Sequence, residues 1–146
     1  MKKKYRLTKE TKEWCGHTLH RIEALKDFGD VKAGDKGGWI EQEENLNQDG
    51  DAWVSGNAWV YGNAKVSGDA RVCGDADYVV FKNWWSSGRY LTWTRSNNMW
   101  KVGCFHGTAD ELIKKAYADG EKSGREHERI VKYVESNLAD EKENKE

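Results

Sequence analysis

The sequence predicts a mainly β fold: a short parallel β-helix built from hexapeptide repeats, followed by a Trp-rich β-hairpin and two C-terminal α-helices. Three observations carry that prediction. Residues 50–79 write Gly-(Asp/Asn)-Ala-x-apolar-x five times without a gap, from Gly50-Asp51-Ala52-Trp53-Val54-Ser55 to Gly74-Asp75-Ala76-Asp77-Tyr78-Val79. After residue 79 the beat stops, and β-branched and aromatic runs alternate with the turn signals Ser86-Ser87-Gly88 and Ser96-Asn97-Asn98. Beyond residue 107 the apolar residues recur at helical spacing.

A period of six suits neither a 3.6-residue helix nor a hairpin with varying turns. Each hexad supplies one short strand and one corner. Gly with Asp or Asn makes the corner because these residues tolerate positive φ cheaply, while Ala and the apolar residue point inward. Written from the valine, Val54-Ser55-Gly56-Asn57-Ala58-Trp59 resembles the hexapeptide pattern of left-handed parallel β-helices. The resemblance implies a short left-handed parallel β-helix with three hexads per triangular coil and residues about 18 apart in register. Five hexads make under two coils and cannot bury a core alone, so both ends need caps.

In chain order, residues 1–18 are basic and polar around Tyr5, Leu7 and Trp14 and are expected to form an N-terminal cap, as an edge strand or irregular segment. Counting back by six from Ala52 meets Leu46, Ile40, Gly34, Phe28 and Ile22, which extends the inward phase and places the solenoid over 19–79. The companion position does not follow: counting back from Val54 meets Gln48, Gln42, Lys36 and Asp30. Residues 80–106 read as an antiparallel hairpin carrying Trp84, Trp85, Trp93 and Trp100. Residues 107–138 read as helical. Thr108-Ala109-Asp110-Glu111 is a capping box, Leu112, Ile113, Ala116 and Tyr117 give the first helix its apolar face, and Gly120 ends it. Ile130, Tyr133, Val134 and Leu138 stripe the second helix. The charged residues 139–146 are expected to be a disordered tail of what is otherwise one compact domain.

Composition narrows the function classes. A formal net charge of −1 with interspersed charges leaves no general footprint for nucleic acid or an anionic membrane. Three widely separated cysteines, with no CxxC pair, predict reduced thiols in a cytoplasmic protein and no structural zinc. Met1-Lys2-Lys3-Lys4 begins like a secretion signal, but no apolar run follows, so neither export nor membrane spanning is expected.

A second resemblance rests on scattered motifs. Gly37-Gly38-Trp39-Ile40, Glu44-Asn45-Leu46, the tandem Gly-Asn-Ala units, and Tyr90-Leu91-Thr92-Trp93 with Gly103-Cys104-Phe105-His106-Gly107-Thr108 resemble small phage and prophage proteins with hexapeptide repeats. The likeness runs over residues 19–135. It implies a phage or prophage accessory protein, and no chemistry that transfers residue by residue.

No catalytic, metal or cofactor site is expected. Left-handed β-helices include acyltransferases that use a histidine base and zinc hydratases whose metal takes three histidines from neighbouring coils. Here His17, His20, His106 and His127 all lie outside the hexads. Cys104 and His106 share one strand face but lack a third orienting group, so Cys104 is expected to be buried and inert. Gly34, Gly37 and Gly38 are no phosphate loop, having neither a GK(S/T) ending nor a following helix.

The aromatic residues carry the functional expectation. Trp53, Trp59 and Arg71 occupy the outward position before the inward valine, and Tyr61 the other outward position. Either the C-terminal hairpin and helices or a second subunit cover these rings, or Trp53, Trp59, Tyr61 and Arg71 form a stacking surface. The expected function is a non-enzymatic, phage-encoded binding protein that modulates a host process, with anti-defence as the expected kind. It would sequester a small nucleotide-like ligand or occlude a host protein. The alternatives are a hexapeptide-type acyltransferase and a structural assembly module. Outward rings over a small core also predict a homo-oligomer, a dimer or trimer.

Overall fold

The computed structural model describes residues 3–74 and 77–138. Asp75 and Ala76 of the fifth hexad and the expected tail at 139–146 lie outside the described residues. Among the described residues ten strands and two α-helices follow in chain order, and the strands fall into three small sheets.

The chain opens with a long hairpin. Strands β1 (Tyr5–Trp14) and β2 (His17–Ala24) pair antiparallel around Cys15 and Gly16, whose φ values of 45° and 85° make a turn matched to strand twist. Strand β3 (Lys36–Ile40) pairs antiparallel with β2 and, on its other edge, parallel with β5 (Trp59–Val60). Strands β4 (Trp53–Val54) and β6 (Arg71–Val72) form a separate parallel pair, with Trp53 opposite Arg71 and Val54 opposite Val72.

The expected left-handed β-helix over 19–79 is therefore corrected to several small sheets, with no solenoid sheet running through them. The parallel pairing is limited to two residue pairs each in β3–β5 and β4–β6 and one isolated bridge, Leu46 with Val66, and residues 17–24 join β1 instead of opening a coil. The reason lies in the polar residues at the companion position. Gln48 turns its amide to β1: its Oε1 accepts from Lys4 N at 2.7 Å and Tyr5 N at 3.2 Å, and its Nε2 donates to the Tyr5 carbonyl at 3.2 Å. A valine there would extend a solenoid wall. A glutamine instead satisfies the backbone of an added strand. Asn45 acts likewise, fully buried, donating to the carbonyls of Gly62 and Ala64 and accepting from Glu41 N and Gln42 N.

The hexads still set which residues form the first core. Ala52, Val54, Ala58, Val60, Ala64, Val66, Ala70 and Val72 are all buried, together with Ile22, Ile40 and Leu46. Gly50, Gly56, Gly62 and Gly68 turn the corners with φ between 61° and 75°. Gly37 and Gly38 are required by close approach: a Cβ at Gly38 would meet the Ala58 carbonyl oxygen at 2.6 Å, and one at Gly37 the Val54 carbonyl oxygen at 2.6 Å and the Trp53 ring at 2.7 Å.

Lys4 closes the bottom of this core. It is fully buried, and its ammonium donates to the carbonyls of Ala52 at 2.7 Å and Gly50 at 3.3 Å and lies 5.0 Å from the Phe28 ring centroid. Burial pushes its pKa from 10.5 down to about 8, with the Asp51 charge opposing that shift. Between those values the unfolded chain binds more protons than the folded one, so folding stability rises with pH. We expect a gain of about 2 kcal/mol from pH 8 to 10 from this group. Urea denaturation across that range checks it, since Lys4→Met must remove the rise; a slope shared by the variant would assign it elsewhere. Above pH 10 the neighbouring Tyr5 works the other way, because burial raises the pKa of its phenol.

The second half is a four-stranded antiparallel sheet in the order β10-β9-β8-β7, where residues 80–106 alone would have made a hairpin. Its strands are β7 (Tyr78–Lys82), β8 (Tyr90–Thr94), β9 (Met99–Val102) and β10 (Phe105–Gly107). Trp93 and Trp100 sit directly opposite each other and are buried against Leu91, Leu112, Val131 and Val134. Helix α1 (Ala109–Asp119) begins at a reciprocal capping box: Glu111 N donates to Thr108 Oγ1 at 3.3 Å, and Thr108 N to Glu111 Oε1 at 2.8 Å. Helix α2 (Glu121–Asn137) turns back at Gly120, and the Tyr117 ring fills the space where a side chain at Gly124 would stand. No helix among the described residues is long and apolar enough to cross a membrane.

Candidate functional site

The hexads place Trp59, Tyr61 and Gly62 on one face, and the chain brings three further rings to them. Trp14 arrives from the end of β1, Tyr78 from β7 and Tyr90 from β8. Together they line a cleft of about 680 Å³ that Val79 and Val80 continue. The volume is that of a small-ligand site.

Trp14, Trp59, Tyr61 and Tyr78 are each held by a specific contact. The centroids of Trp14 and Trp59 lie 5.2 Å apart at an interplanar angle of 58°. Tyr78 donates its hydroxyl to the Trp59 carbonyl at 2.8 Å, which ties the second sheet to the first beside the cleft. Tyr61 packs against His17 with centroids 5.0 Å apart. The Lys12 ammonium stands 5.0 Å from the Trp59 ring and 4.2 Å from the Trp39 ring. Trp39 also carries the Arg21 guanidinium at 4.6 Å, so two cations sit on its ring.

Glu41 organises the rim. Its Oε2 pairs with His17 Nδ1 at 2.8 Å, and its Oε1 accepts from Gly62 N at 2.8 Å. The hydrogen bonds from His17 and Gly62 hold its carboxyl below the usual carboxylate range. The Gly62 corner, with φ 64°, is thereby pinned beside Tyr61.

The four residues picked out by the hexad register part company. Trp59 and Tyr61 share the cleft, half-buried. Trp53 does not: it is 4% exposed, a core ring packed edge-on against Phe28 at 5.3 Å and Tyr5 at 6.5 Å. Its cover comes from the N-terminal strand and the turn after β2, neither from the C-terminal half nor from a second subunit. Arg71 lies on that same side, paired with Asp30 at 3.0 Å and reaching the backbone of Gly29. Strand alternation alone turned both outward; β1, through Tyr5, and the turn after β2, through Phe28 and Asp30, bury one and pair the other, and the sequence pattern revealed the place of neither segment. Trp14, Tyr78 and Tyr90 were missed as cleft residues because they come from separate elements with no shared period. Tyr78 sat at the inward position of the fifth hexad, which was the available signal.

The sulfur and imidazole groups take simpler places. Cys104 is exposed, as are Cys15 and Cys73, which corrects the buried position expected for it. His106 packs its ring on Gly68, and burial followed by the nearby Lys101 charge lowers its pKa. Among the described residues no three His, Cys, Asp or Glu side chains group as metal ligands.

No protein-family model matches the chain. Over 60 residues the chain is 38% identical to "Uncharacterized acetyltransferase YdcK" of Escherichia coli (strain K12), a stretch that is 36% of this chain and 18% of that protein. The chain thus spans under a fifth of the length of the curated relative that it matches.

Proposed function

We propose that the chain is a binding protein whose aromatic cleft holds a planar, nucleotide-like ligand on Trp59 and Tyr61. The observation that carries this reading is the convergence of Trp14, Trp59, Tyr61, Tyr78 and Tyr90 on one open cleft with Lys12 against the Trp59 ring. A base stacked on an indole gains roughly 1–3 kcal/mol whatever its identity, and an ammonium nearby suits a phosphate. The likeness to phage and prophage proteins extends the proposal to a phage-encoded modulator of a host process.

Titration with adenosine monophosphate, followed by tryptophan fluorescence and calorimetry, tests the cleft. Trp59→Ala is expected to weaken binding by about 2 kcal/mol, roughly thirtyfold, while melting stays cooperative. A nucleotide that gives no saturable signal, or one whose affinity ignores Trp59→Ala, sinks the proposal.

A second reading, a hexapeptide-type acyltransferase, is favoured by the stretch shared with the acetyltransferase-named protein. Release of free thiol from acetyl-coenzyme A in the presence of amine or alcohol acceptors would select it over the binding protein.

A further inference from the structure

Val79 and Val80 both line the aromatic cleft, although successive strand residues point to opposite faces of a sheet. Val79 packs against the second core and Val80 against the first. A cleft that meets both side chains lies along the edge of β7, and β7 is the last strand of its sheet. What that edge presents is main chain.

The register fixes which main-chain groups point there. At the two ends of the β7–β8 ladder, Arg95 N donates to the Asp77 carbonyl and Asn83 N to the Arg89 carbonyl, each at 2.8 Å. Both pairs continue the register in which Val79 faces Trp93 and Phe81 faces Leu91. Hydrogen-bonded pairs alternate along an antiparallel ladder, so residues 77, 79, 81 and 83 turn their N–H and C=O groups to β8. Val80 and Lys82 turn theirs to the open edge. Neither backbone group of Val80 has a hydrogen-bond partner among the described residues, and Val80 is part-buried.

The opposite wall accounts for this gap. In β4–β6 residues 18 apart pair in parallel, and Val80 follows Gly62 by the same 18 residues. Gly62, however, turns a corner with φ 64° and gives its N–H to Glu41, while β7 runs straight on. The two chains part there, and the cleft lies between them, lined by Gly62 and Asn63 on one side and Val79 and Val80 on the other.

A nucleobase stacks through its faces and carries its donors and acceptors around its edge, with an N–H beside a ring nitrogen or a carbonyl. One residue's N–H and C=O, side by side on a strand edge, complement such a neighbouring pair. We infer that Val80 reads the edge of the base, an assignment that rests on the nucleotide reading of the cleft. Its N–H donates to a ring acceptor and its C=O accepts the adjacent N–H, while Trp59 or Tyr61 takes the face. An open edge of two residues is too short for a peptide strand. A part-buried main-chain pair left unmatched costs free energy that the base recovers.

Adenosine monophosphate and purine riboside monophosphate test this together, because they share ring system, sugar and phosphate and differ in the 6-amino donor. Titration of the full chain, followed by tryptophan fluorescence, should give adenosine monophosphate at least about tenfold higher affinity. At saturation with it the Val80 amide, followed by NMR, should exchange with solvent at least about tenfold more slowly than in the free chain. Equal affinities for the two nucleotides, or an unchanged Val80 exchange rate at saturation, overturn the reading of the edge and leave a cleft that binds by stacking alone. Adenosine monophosphate that gives no saturable signal overturns it together with the nucleotide reading beneath it.

Discussion

Trp53→Ala is expected to destabilise the protein by about 3–5 kcal/mol, the cost of emptying a large aromatic site in a packed core. The ring is 4% exposed, met edge-on by Tyr5 and Phe28, and Gly37 has no side chain so that the ring can pass beneath it. Removing the indole leaves these groups around a void, and the short β4 they clamp has β6 alone as a strand partner among the described residues. Urea denaturation of the variant against the parent chain reads the effect. A loss below about 1 kcal/mol would mean that the N-terminal hairpin does not cover this ring.

Val60→Asp is expected to abolish cooperative folding. Val60 has no exposed surface, pairs with Ile40 across the parallel β3–β5 contact, and lies in the first core among apolar side chains. A carboxylate there either ionises in an apolar interior or takes up a proton, at a cost of several kcal/mol. That approaches the whole stability of a domain of this size. Circular dichroism should show no sigmoidal melt for Val60→Asp, while Trp59→Ala, one residue earlier on the opposite strand face, keeps its transition. Equal melts for the two variants would reverse the inward and outward assignment of β5.

This contrast shows how far the hexads reach. Because strand residues alternate faces, Val54, Val60, Val66 and Val72 could be assigned inward from spacing alone, and every one is fully buried. The positions between them could be assigned to the outer face but not to solvent. Trp53 and Trp59 stand at equivalent positions in successive hexads; one is core and the other opens onto a cleft. The difference comes from residues 3–31, where the period of six reaches Phe28 and Ile22 but does not say which neighbour a strand will pair with.

The corners, the inward residues of the repeats and the capped start of α1 are legible in the chain before it folds. These depend on local chemistry: glycine at positive φ, alternation along a strand, and a threonine and glutamate three residues apart. That the repeats join small mixed sheets, that Gln48 and Asn45 serve as backbone partners, and that Trp14, Tyr78 and Tyr90 reach Trp59 emerges from long-range packing. Those outcomes depend on which distant segments supply hydrogen-bond partners and cover apolar faces. A pattern of period six states that a face must be covered and leaves open what covers it.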